Sequence, residues 1–317
     1  MRVVVAEFMA PSGLKILSDG VSVQYDPSLG AERTLLLEAL EGAAGLVVRN
    51  RCRVDSELVA HAPRLAVVGR LGTGLDNVDL PALEAAGVQL VHAAGENASS
   101  AAEFALLLSL ALARRIEAVW LDMPGPAWAR RHQYSGFELC GRRLGVVGFG
   151  AVGSALTVRA QALGMTVLAS GTERTRADAE RLGVPMLGLE DLLPQVDIVS
   201  LHCPLTPVTH HLLGAAALAR LPRGALVVNT ARGGLVDEAA LAAALRSGHL
   251  GGAALDVREV EPPQDPDPLR GVPGLILTPH VAGLTEQAQD RIAARVAAGV
   301  LRALQGGPEP RRPVRGG

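Results

Sequence analysis

Short apolar runs alternate along the chain with stretches whose apolar residues recur at helical spacing, such as ERTLLLEALEGA and AALAAALRSG. The runs form two series: RVVVAEF, VSVQYDP, GLVVRN, LAVVGRLG and VQLVHAAG, then RLGVVGFG, TVLASG, DIVSLHCP, ALVVNTA, GAALDV and LILTPHV. Apolar strands that alternate with helices are typical of parallel sheets covered on both faces. The pattern therefore predicts two α/β domains, each binding ligands at the carboxyl ends of its strands.

The segments around the second series carry other patterns. Residues 96–122 are strongly apolar and predict one long helix with Asn or Ser caps near its start. Residues 123–141 are rich in Pro and Gly without a clear period, which predicts a loop or an arm. Residues 285–307 predict an amphipathic helix that could fold back on the first domain, and PEPRRPVRGG after it is predicted to be disordered.

Composition excludes several classes of protein. The net charge of −2 provides no electrostatic footprint for nucleic acid, and Glu7 interrupts the only apolar run near the start. Cys52, Cys140 and Cys203 are far apart and form no CxxC pair, so neither a disulfide framework nor a metal site is predicted. Lys15 is the only lysine, which argues against Schiff-base and Walker-type chemistry. We expect a cytoplasmic protein that binds neither nucleic acid nor membrane.

A glycine-rich turn opens the second series. GFGAVG occupies residues 148–153 between an apolar run and a helical stretch. In that context Gly148 permits the tight turn, Gly150 lets the backbone approach a pyrophosphate, and Gly153 lets the helix pack on the strand. The helix N-terminus adds N–H donors for the phosphates, so the motif predicts a dinucleotide site.

The next strand end bears on the choice of cofactor. NAD sites usually place an acid there, roughly 20 residues after the glycines, but this chain reads SGTERTR from residue 170. Thr172, with Arg174 or Arg176, could therefore bind the 2′-phosphate of NADP. Alternatively the arginines are solvated and Glu173 holds the ribose of NAD. The sequence favours NADP over NAD and leaves both open.

Three later strand ends carry groups suited to acid–base chemistry. Arg232 follows VVNTA, Glu261 lies in the loop after GAALDV, and His280 follows LILTP. Each alone could be structural: a helix cap, a solvated loop acid or a loop histidine. An arginine, a carboxylate and a histidine at three strand ends beside a dinucleotide loop together predict an active site.

These motifs resemble those of the D-isomer-specific 2-hydroxyacid dehydrogenase family. The resemblance runs over nearly the whole chain and is carried by GRLGTGLDNVDLPAL, GFGAVG, HCPLTPVT, NTARGGLVDE, ALDVREVEP and TPHVAG. It implies two Rossmann-like parallel-sheet domains, a flavodoxin-like substrate domain (residues 1–96 and 284–317) and an inserted NAD(P)-binding Rossmann domain (residues 97–283). It also implies a homodimer built around the inserted domain.

The family's roles carry over onto matching positions. The resemblance implies that His280 is the general acid and base, that Glu261 orients its ring and favours the cation, and that Arg232 binds the α-carboxylate and polarises the keto oxygen. The cofactor would also be met by Ala151, Val152, Cys203, Pro204, Thr230, Ala231 and Asp256, and the substrate carboxylate by the backbone at Leu71, Gly72, Thr73 and Gly74. His202 would lie near the cofactor or be structural, and His210, His211 and His249 are expected on the surface.

The substrate is less defined. GLVVRNRCRVDSEL and VVGRLGTGLDNVDL resemble stretches of 3-phosphoglycerate dehydrogenases, in which arginines matching Arg49 and Arg70 meet the substrate phosphate. TPHVAGLT instead resembles glyoxylate, hydroxypyruvate or sulfonate-type reductases. A small 2-hydroxy or 2-keto acid with a second anionic group is expected, while Arg49 and Arg70 could equally form salt bridges at strand ends.

Two other kinds of function stay open. A formate or phosphite dehydrogenase, or a reductase of small neutral ketoacids, would belong to the same wider family. A corepressor-like protein that senses dinucleotides on this fold could keep both the glycine loop and the three strand-end residues. Turnover of a 2-ketoacid distinguishes an enzyme from such a sensor.

Overall fold

The computed structural model of the protein describes residues 1–123, 125 and 127–306, with only the backbone of residue 127. The chain divides into two compact units, Met1–Asn97 with the chain from Leu284 on, and Ala98–Gly283. The predicted disordered tail lies outside the described residues. Among those residues, no helix combines the length and the apolar character that crossing a bilayer requires.

The first unit contains a parallel sheet of five strands in the order β2-β1-β3-β4-β5. Its strands are β1 (Arg2–Val5), β2 (Ser22–Tyr25), β3 (Gly45–Val48), β4 (Val67–Arg70) and β5 (Gln89–His92). The helices between them are α1 (Pro11–Ser18), α2 (Arg33–Leu40), α3 (Ser56–His61) and α4 (Leu80–Ala85). This order is that of flavodoxin-like sheets, so the predicted fold of this unit is confirmed.

The second unit contains a parallel sheet in the order β11-β10-β9-β8-β6-β7. Its strands are β6 (Arg143–Val147), β7 (Thr166–Ser170), β8 (Ile198–Leu201), β9 (Leu226–Asn229), β10 (Gly252–Leu255) and β11 (Leu275–Leu277). Its helices are α5 (Ala98–Ala113), α6 (Ile116–Asp122), α7 (Ala127–Arg130), α8 (Ala151–Ala162), α9 (Arg176–Arg181), α10 (Leu189–Leu192), α11 (Ala215–Arg220) and α12 (Glu238–Arg246). The order reverses at β6, the Rossmann-type switch point where ligands bind.

The helix predicted over residues 96–122 is instead two helices. α5 ends at Ala113, and Arg115 adopts a left-handed conformation with φ 52° before α6 begins. The N–H of Phe137 donates to the Ala113 carbonyl at 2.9 Å and so takes an acceptor that a continuing helix would use. The break in the helix is therefore accompanied by a tertiary hydrogen bond from the later segment that contains Phe137. The spacing of apolar residues does not predict such a bond.

The amphipathic helix predicted near the end of the chain is present as α13 (Glu286–Leu304). Thr285 caps it, because its Oγ1 accepts the N–H of Ala288 at 3.2 Å. The apolar face of α13, including Ile292 and Val296, is buried in one cluster with Val3 and Val67 of the sheet. The helix therefore completes the core of the first unit.

Candidate active site

Two glycines of the turn after β6 are required by close packing. Gly148 has φ 95°, and a Cβ there would lie 2.4 Å from the backbone nitrogen of Cys203. A Cβ on Gly153 would lie 2.4 Å from the Gly148 carbonyl oxygen. Gly150, at the start of α8, differs, because no described atom lies within 4 Å of its ideal Cβ position. The backbone at Gly150 is thus open for the close approach of a pyrophosphate.

Other predicted cofactor contacts surround this turn. Ala151 and Val152 form the first turn of α8, while Cys203–Pro204 follow β8 and Thr230–Ala231 follow β9. The Thr230 hydroxyl is buried and finds no hydrogen-bond partner among the residues that the structure describes. A buried unpartnered hydroxyl is costly unless something else satisfies it, which fits a bound dinucleotide. Burial raises the pKa of the Cys203 thiol to about 11, so this cysteine is not a thiolate nucleophile.

His202 has a structural partner. Its Nε2 lies 2.8 Å from Ser200 Oγ, and its backbone N–H donates to the Val147 carbonyl at 2.7 Å. Burial lowers the pKa of His202 to about 4, so the ring is neutral at pH 7. A neutral histidine tied to both β6 and β8 supports the wall of the cofactor loop.

The strand end after β7 is exposed. Glu173 Oε1 and Oε2 accept from Arg176 Nε at 2.9 and 2.8 Å, and this pair lies at the surface. Arg174 is exposed and makes no ion pair with the described residues. The Thr172 carbonyl accepts from the Thr175 N–H at 2.9 Å, which fixes the turn. Of the two predicted arginines, Arg176 is therefore engaged by Glu173 and Arg174 is available to a ligand.

His280 and Glu261 form a direct pair. His280 Nδ1 lies 2.8 Å from Glu261 Oε2, and Glu261 Oε1 accepts the N–H of Arg258 at 2.9 Å. His280 adopts a left-handed backbone with φ 57°, which a residue with a Cβ keeps only when its surroundings enforce it. A carboxylate on Nδ1 fixes the tautomer and presents Nε2 to a ligand.

Asp256 anchors the loop that carries His280. Its buried carboxylate accepts from the Thr278 hydroxyl at 2.6 Å and from the N–H groups of Val281 and Ala282 at 2.9 and 2.8 Å. The His280 N–H donates to the Asp256 carbonyl at 2.7 Å. These four bonds account for the unusual backbone at His280. The predicted contact between Asp256 and the cofactor carboxamide stays a prediction.

Arg232 follows β9 in a turn held by Asn229. The Asn229 side chain is buried, accepts the Ala231 N–H at 3.0 Å and donates to the Arg232 carbonyl at 2.8 Å. Arg232 Nη1 donates to the Ala231 carbonyl at 2.6 Å, and its side chain is half-buried. Because β9, β10 and β11 are neighbours, Arg232, Glu261 and His280 follow three adjacent strands.

A buried ion network that the sequence analysis did not identify supports Glu261. Arg258 donates through Nε and Nη2 to both carboxylate oxygens of Glu238 at 2.9 Å, and through Nη2 to Asp267 at 2.7 Å. The Glu259 N–H also donates to Glu238. The Arg258 side chain is 9% exposed, and its guanidinium lowers the pKa of the Asp267 carboxyl. Nothing in the local sequence marks this arginine, since its partners lie 20 and 9 residues away.

The two predicted substrate arginines lie at adjacent strand ends of the first unit. Arg70 ends β4 and is paired in register with Val48, the residue before Arg49. Burial lowers the pKa of the Arg49 guanidinium, and the nearby Glu7 carboxylate opposes this shift. The buried Glu7 accepts the N–H groups of Arg49, Arg51 and Cys52 at 2.8, 3.1 and 3.0 Å and shapes this loop, a role that the sequence analysis missed.

The loop after Arg70 exposes backbone donors. Gly72 has φ 152°, a backbone conformation that favours glycine, and it lies beside the end of the Arg70 side chain. Within the described chain, the N–H groups of Thr73 and Gly74 make no hydrogen bond to a backbone carbonyl, whereas the N–H groups of Leu71 and Gly72 bond to Val48 and Arg70. The N–H groups of Thr73 and Gly74, which no backbone carbonyl in the described chain accepts, suit a carboxylate ligand beside the arginine.

Known proteins match this chain over most of its length. A family model described as the NAD-binding domain of D-isomer specific 2-hydroxyacid dehydrogenases matches residues 106–282. The D-3-phosphoglycerate dehydrogenase of Mycobacterium tuberculosis H37Rv is 43% identical over 304 residues, covering 96% of this chain and 57% of that protein. The chain thus spans little more than half the length of such curated relatives. The (S)-sulfolactate dehydrogenase of Chromohalobacter salexigens is 43% identical over 95% of this chain and 98% of its own.

Solved structures are also similar to this chain over nearly its whole length. The TT0316 protein from Thermus thermophilus has a TM-score of 0.86 at 37% identity and covers 98% of this chain and 99% of its own. A glyoxylate reductase from Paecilomyes thermophila has a TM-score of 0.84 at 26% identity, over 100% of this chain and 99% of its own.

Proposed function

The chain belongs to the D-isomer specific 2-hydroxyacid dehydrogenase family, and we propose that it transfers a hydride between NAD(P) and a small 2-hydroxy or 2-keto acid. The observation that supports this most directly is the 2.8 Å pair between His280 Nδ1 and Glu261 Oε2. The pair lies in the second unit, which also contains the glycine turn. His280 follows β11, and Arg232 follows β9, two strands away in the sheet. An acid–base group, an anion-binding group and a dinucleotide loop are the parts that this reaction needs.

The side chains have separate tasks in this proposal. The bound nicotinamide supplies or accepts the hydride. Arg232 binds the substrate carboxylate with its planar fork and polarises the keto oxygen. His280 donates a proton from Nε2 to that oxygen during reduction and takes it back during oxidation. Glu261 holds the ring through Nδ1 and stabilises the imidazolium, so that the ring can serve in both directions.

We propose a substrate with a second anionic group. Arg49 and Arg70 lie at two neighbouring strand ends, and arginine guanidinium groups suit a phosphate or a sulfonate. The backbone at Leu71, Gly72, Thr73 and Gly74 would hold the carboxylate beside them. Relatives of 43% identity are named for a phosphorylated and for a sulfonated hydroxy acid. A reductase of glyoxylate or hydroxypyruvate is the alternative, and the fold neighbour named a glyoxylate reductase supports it.

We propose that NADP is preferred over NAD. No carboxylate faces inward at the end of β7 in the described chain, because Glu173 is paired with Arg176 at the surface. Thr172 and Arg174 would bind the 2′-phosphate. Titration with NADPH and NADH, followed by nicotinamide fluorescence, tests this preference. Arg174→Ala should weaken NADPH and leave NADH unchanged, and equal loss of both would contradict the assignment.

We also propose a homodimer formed through the second unit. Trp120, Leu121 and Trp128 of the segment after α5 are 72, 80 and 77% exposed. Large exposed apolar side chains in one segment are typical of an interface. Light scattering after size exclusion tests the proposal, with Trp128→Ser expected to shift the population toward monomer.

Activity itself is tested with a panel of 2-ketoacids and both reduced cofactors. The panel includes glyoxylate, hydroxypyruvate, 3-phosphohydroxypyruvate and sulfopyruvate. Turnover of any of them supports a dehydrogenase, and the ratio of kcat/KM between dianionic and monoanionic acids ranks the substrate classes. Cofactor binding without turnover across the panel would favour a dinucleotide-sensing protein instead.

A further inference from the structure

Two histidines and a glutamate meet at the surface of the second unit. The rings of His210 and His211 stack with centroids 3.9 Å apart. Glu259 Oε1 lies 2.9 Å from His211 Nε2 and 3.7 Å from His210 Nε2. The three potential ligand atoms all lie within 4.8 Å of one another. The sequence placed both histidines on the surface, which is where they lie, but it could not bring Glu259 to them across 48 residues.

We propose that His210, His211 and Glu259 form a binding site for one divalent late transition-metal ion such as Zn²⁺. Ligand atoms about 2.0–2.1 Å from a tetrahedral zinc ion lie about 3.3 Å apart. The two measured separations to Glu259 Oε1, 2.9 and 3.7 Å, bracket that spacing. The two Nε2 atoms and Glu259 Oε1 all lie within reach of one ion, and water would complete the coordination.

The chemistry of the ligands selects the class of ion. Imidazole nitrogen suits Zn²⁺, Ni²⁺ and Cu²⁺, whereas Mg²⁺ and Ca²⁺ take oxygen ligands. Two nitrogens and one carboxylate oxygen therefore favour a late transition metal. The ion would replace the hydrogen bond between His211 and Glu259.

Both loops that carry the ligands are held in place without an ion. His211 has a left-handed backbone with φ 51°, and its N–H donates to the Gly234 carbonyl at 2.7 Å. The N–H of Glu259 donates to the buried Glu238 carboxylate at 2.9 Å. Binding of an ion therefore orders few additional torsions, which favours affinity.

The site lies between the loops that carry two of the proposed active-site residues. His211 is bonded to Gly234, two residues after Arg232, and Glu259 precedes Glu261 by two residues. An ion there would join the turn after β9 to the loop after β10. This inference concerns the fixing of two loops and does not rest on the proposed hydride transfer.

Calorimetric titration of chelator-treated, untagged protein with ZnCl2 tests the site. We expect saturable binding of one Zn²⁺ per chain, no saturable binding of MgCl2, and a Tm that rises with Zn²⁺ because the ion binds the folded state. His211→Asn and Glu259→Gln should each weaken Zn²⁺ binding at least about tenfold, since even outer-shell changes have effects of that size. His132→Asn, at another exposed histidine, is the matched control and should bind as the wild type does.

Three results would overturn the proposal. One is the absence of saturable Zn²⁺ binding. Another is a wild-type affinity of Glu259→Gln for Zn²⁺. It would indicate that the ion binds only the two surface imidazoles, or that it binds elsewhere, at the exposed thiol of Cys140. The third is equal binding of Mg²⁺. Because the two variants change different loops, a folding defect in one, detected by circular dichroism, leaves the other to decide. Catalytic failure would not affect any of these readouts.

Discussion

Nδ1 of His280 lies 2.8 Å from Oε2 of Glu261, and the other oxygen of that carboxylate accepts the N–H of Arg258. The carboxylate is thereby fixed on two sides. The histidine ring is held by its carboxylate partner and its backbone by Asp256, so both ring orientation and ring position are set before substrate binds.

His280→Asn should lower kcat by about 10²- to 10⁴-fold, because the variant keeps the polarity of the site but loses the proton donor. The affinity for reduced cofactor should not change. Steady-state rates and nicotinamide fluorescence measure the two quantities. Near-normal turnover would exclude His280 as the acid, and Glu261→Gln, which keeps a hydrogen-bond acceptor, should have the smaller effect.

Arg232→Lys should raise KM and lower kcat, although the positive charge is retained. The reason is that an ammonium group cannot form the planar two-point contact of a guanidinium with a carboxylate. KM and kcat are measured with one 2-ketoacid, and its alcohol analogue, which lacks the carboxylate, is tested as an inhibitor. Comparison of the two compounds isolates the contact between Arg232 and the carboxylate. An unchanged KM would refute the carboxylate-binding role.

Arg70→Ala should lower kcat/KM for dianionic substrates by about 10- to 100-fold, the loss expected for a hydrogen bond to a charged group. Glyoxylate has no second anion and should be affected less. Arg49→Ala, at the neighbouring strand end, should give the same selective pattern. Equal losses on glyoxylate and on a dianionic acid would indicate that the arginine is structural.

Arg258→Met should destabilise the protein by about 3–5 kcal/mol, because it leaves the Glu238 and Asp267 carboxylates buried without their partner. Arg270→Met removes an exposed pair with Asp265 and should cost about 1 kcal/mol or less. Urea unfolding followed by circular dichroism compares the two variants.

The pair of Arg258 with Asp267 has a defined dependence on pH. Arg258 lowers the pKa of the Asp267 carboxyl, so its stabilisation is fully present above the unfolded value of about 3.9. It is lost as the pH falls through the lower folded value. The difference between wild type and Arg258→Met should therefore shrink in acid, and a constant difference down to about pH 2 would contradict the assignment of this pair.

Much of the fold follows from local pattern. Each apolar run of the two series forms a strand, and GFGAVG forms the turn between β6 and α8, because continuous apolar runs and glycine spacing report on burial and dihedral angles directly. The break at Arg115 was not predicted, since it accompanies the Phe137 hydrogen bond from a later segment.

Some residues of the candidate site could be identified from the sequence and others could not. Arg232, Glu261 and His280 could be identified because each lies in the segment that follows a recognisable strand. Arg258, Glu238 and Glu7 could not, because a buried charge in the sequence looks the same as a solvated one until its partner is known. Asn229 and Asp256 act on backbone groups, and only the folded turn shows which N–H groups they reach.

Helix α13 also has a consequence for biosynthesis. The sheet of the first unit is translated before the second unit, yet one of its apolar faces is covered by residues 286–304, which are translated after the whole second unit. Val3 and Val67 therefore stay uncovered by their final partners until translation has passed residue 300. The second unit, formed from one continuous segment, can finish folding earlier. The apolar face of the first sheet therefore waits for its covering helix while the whole second unit is synthesised.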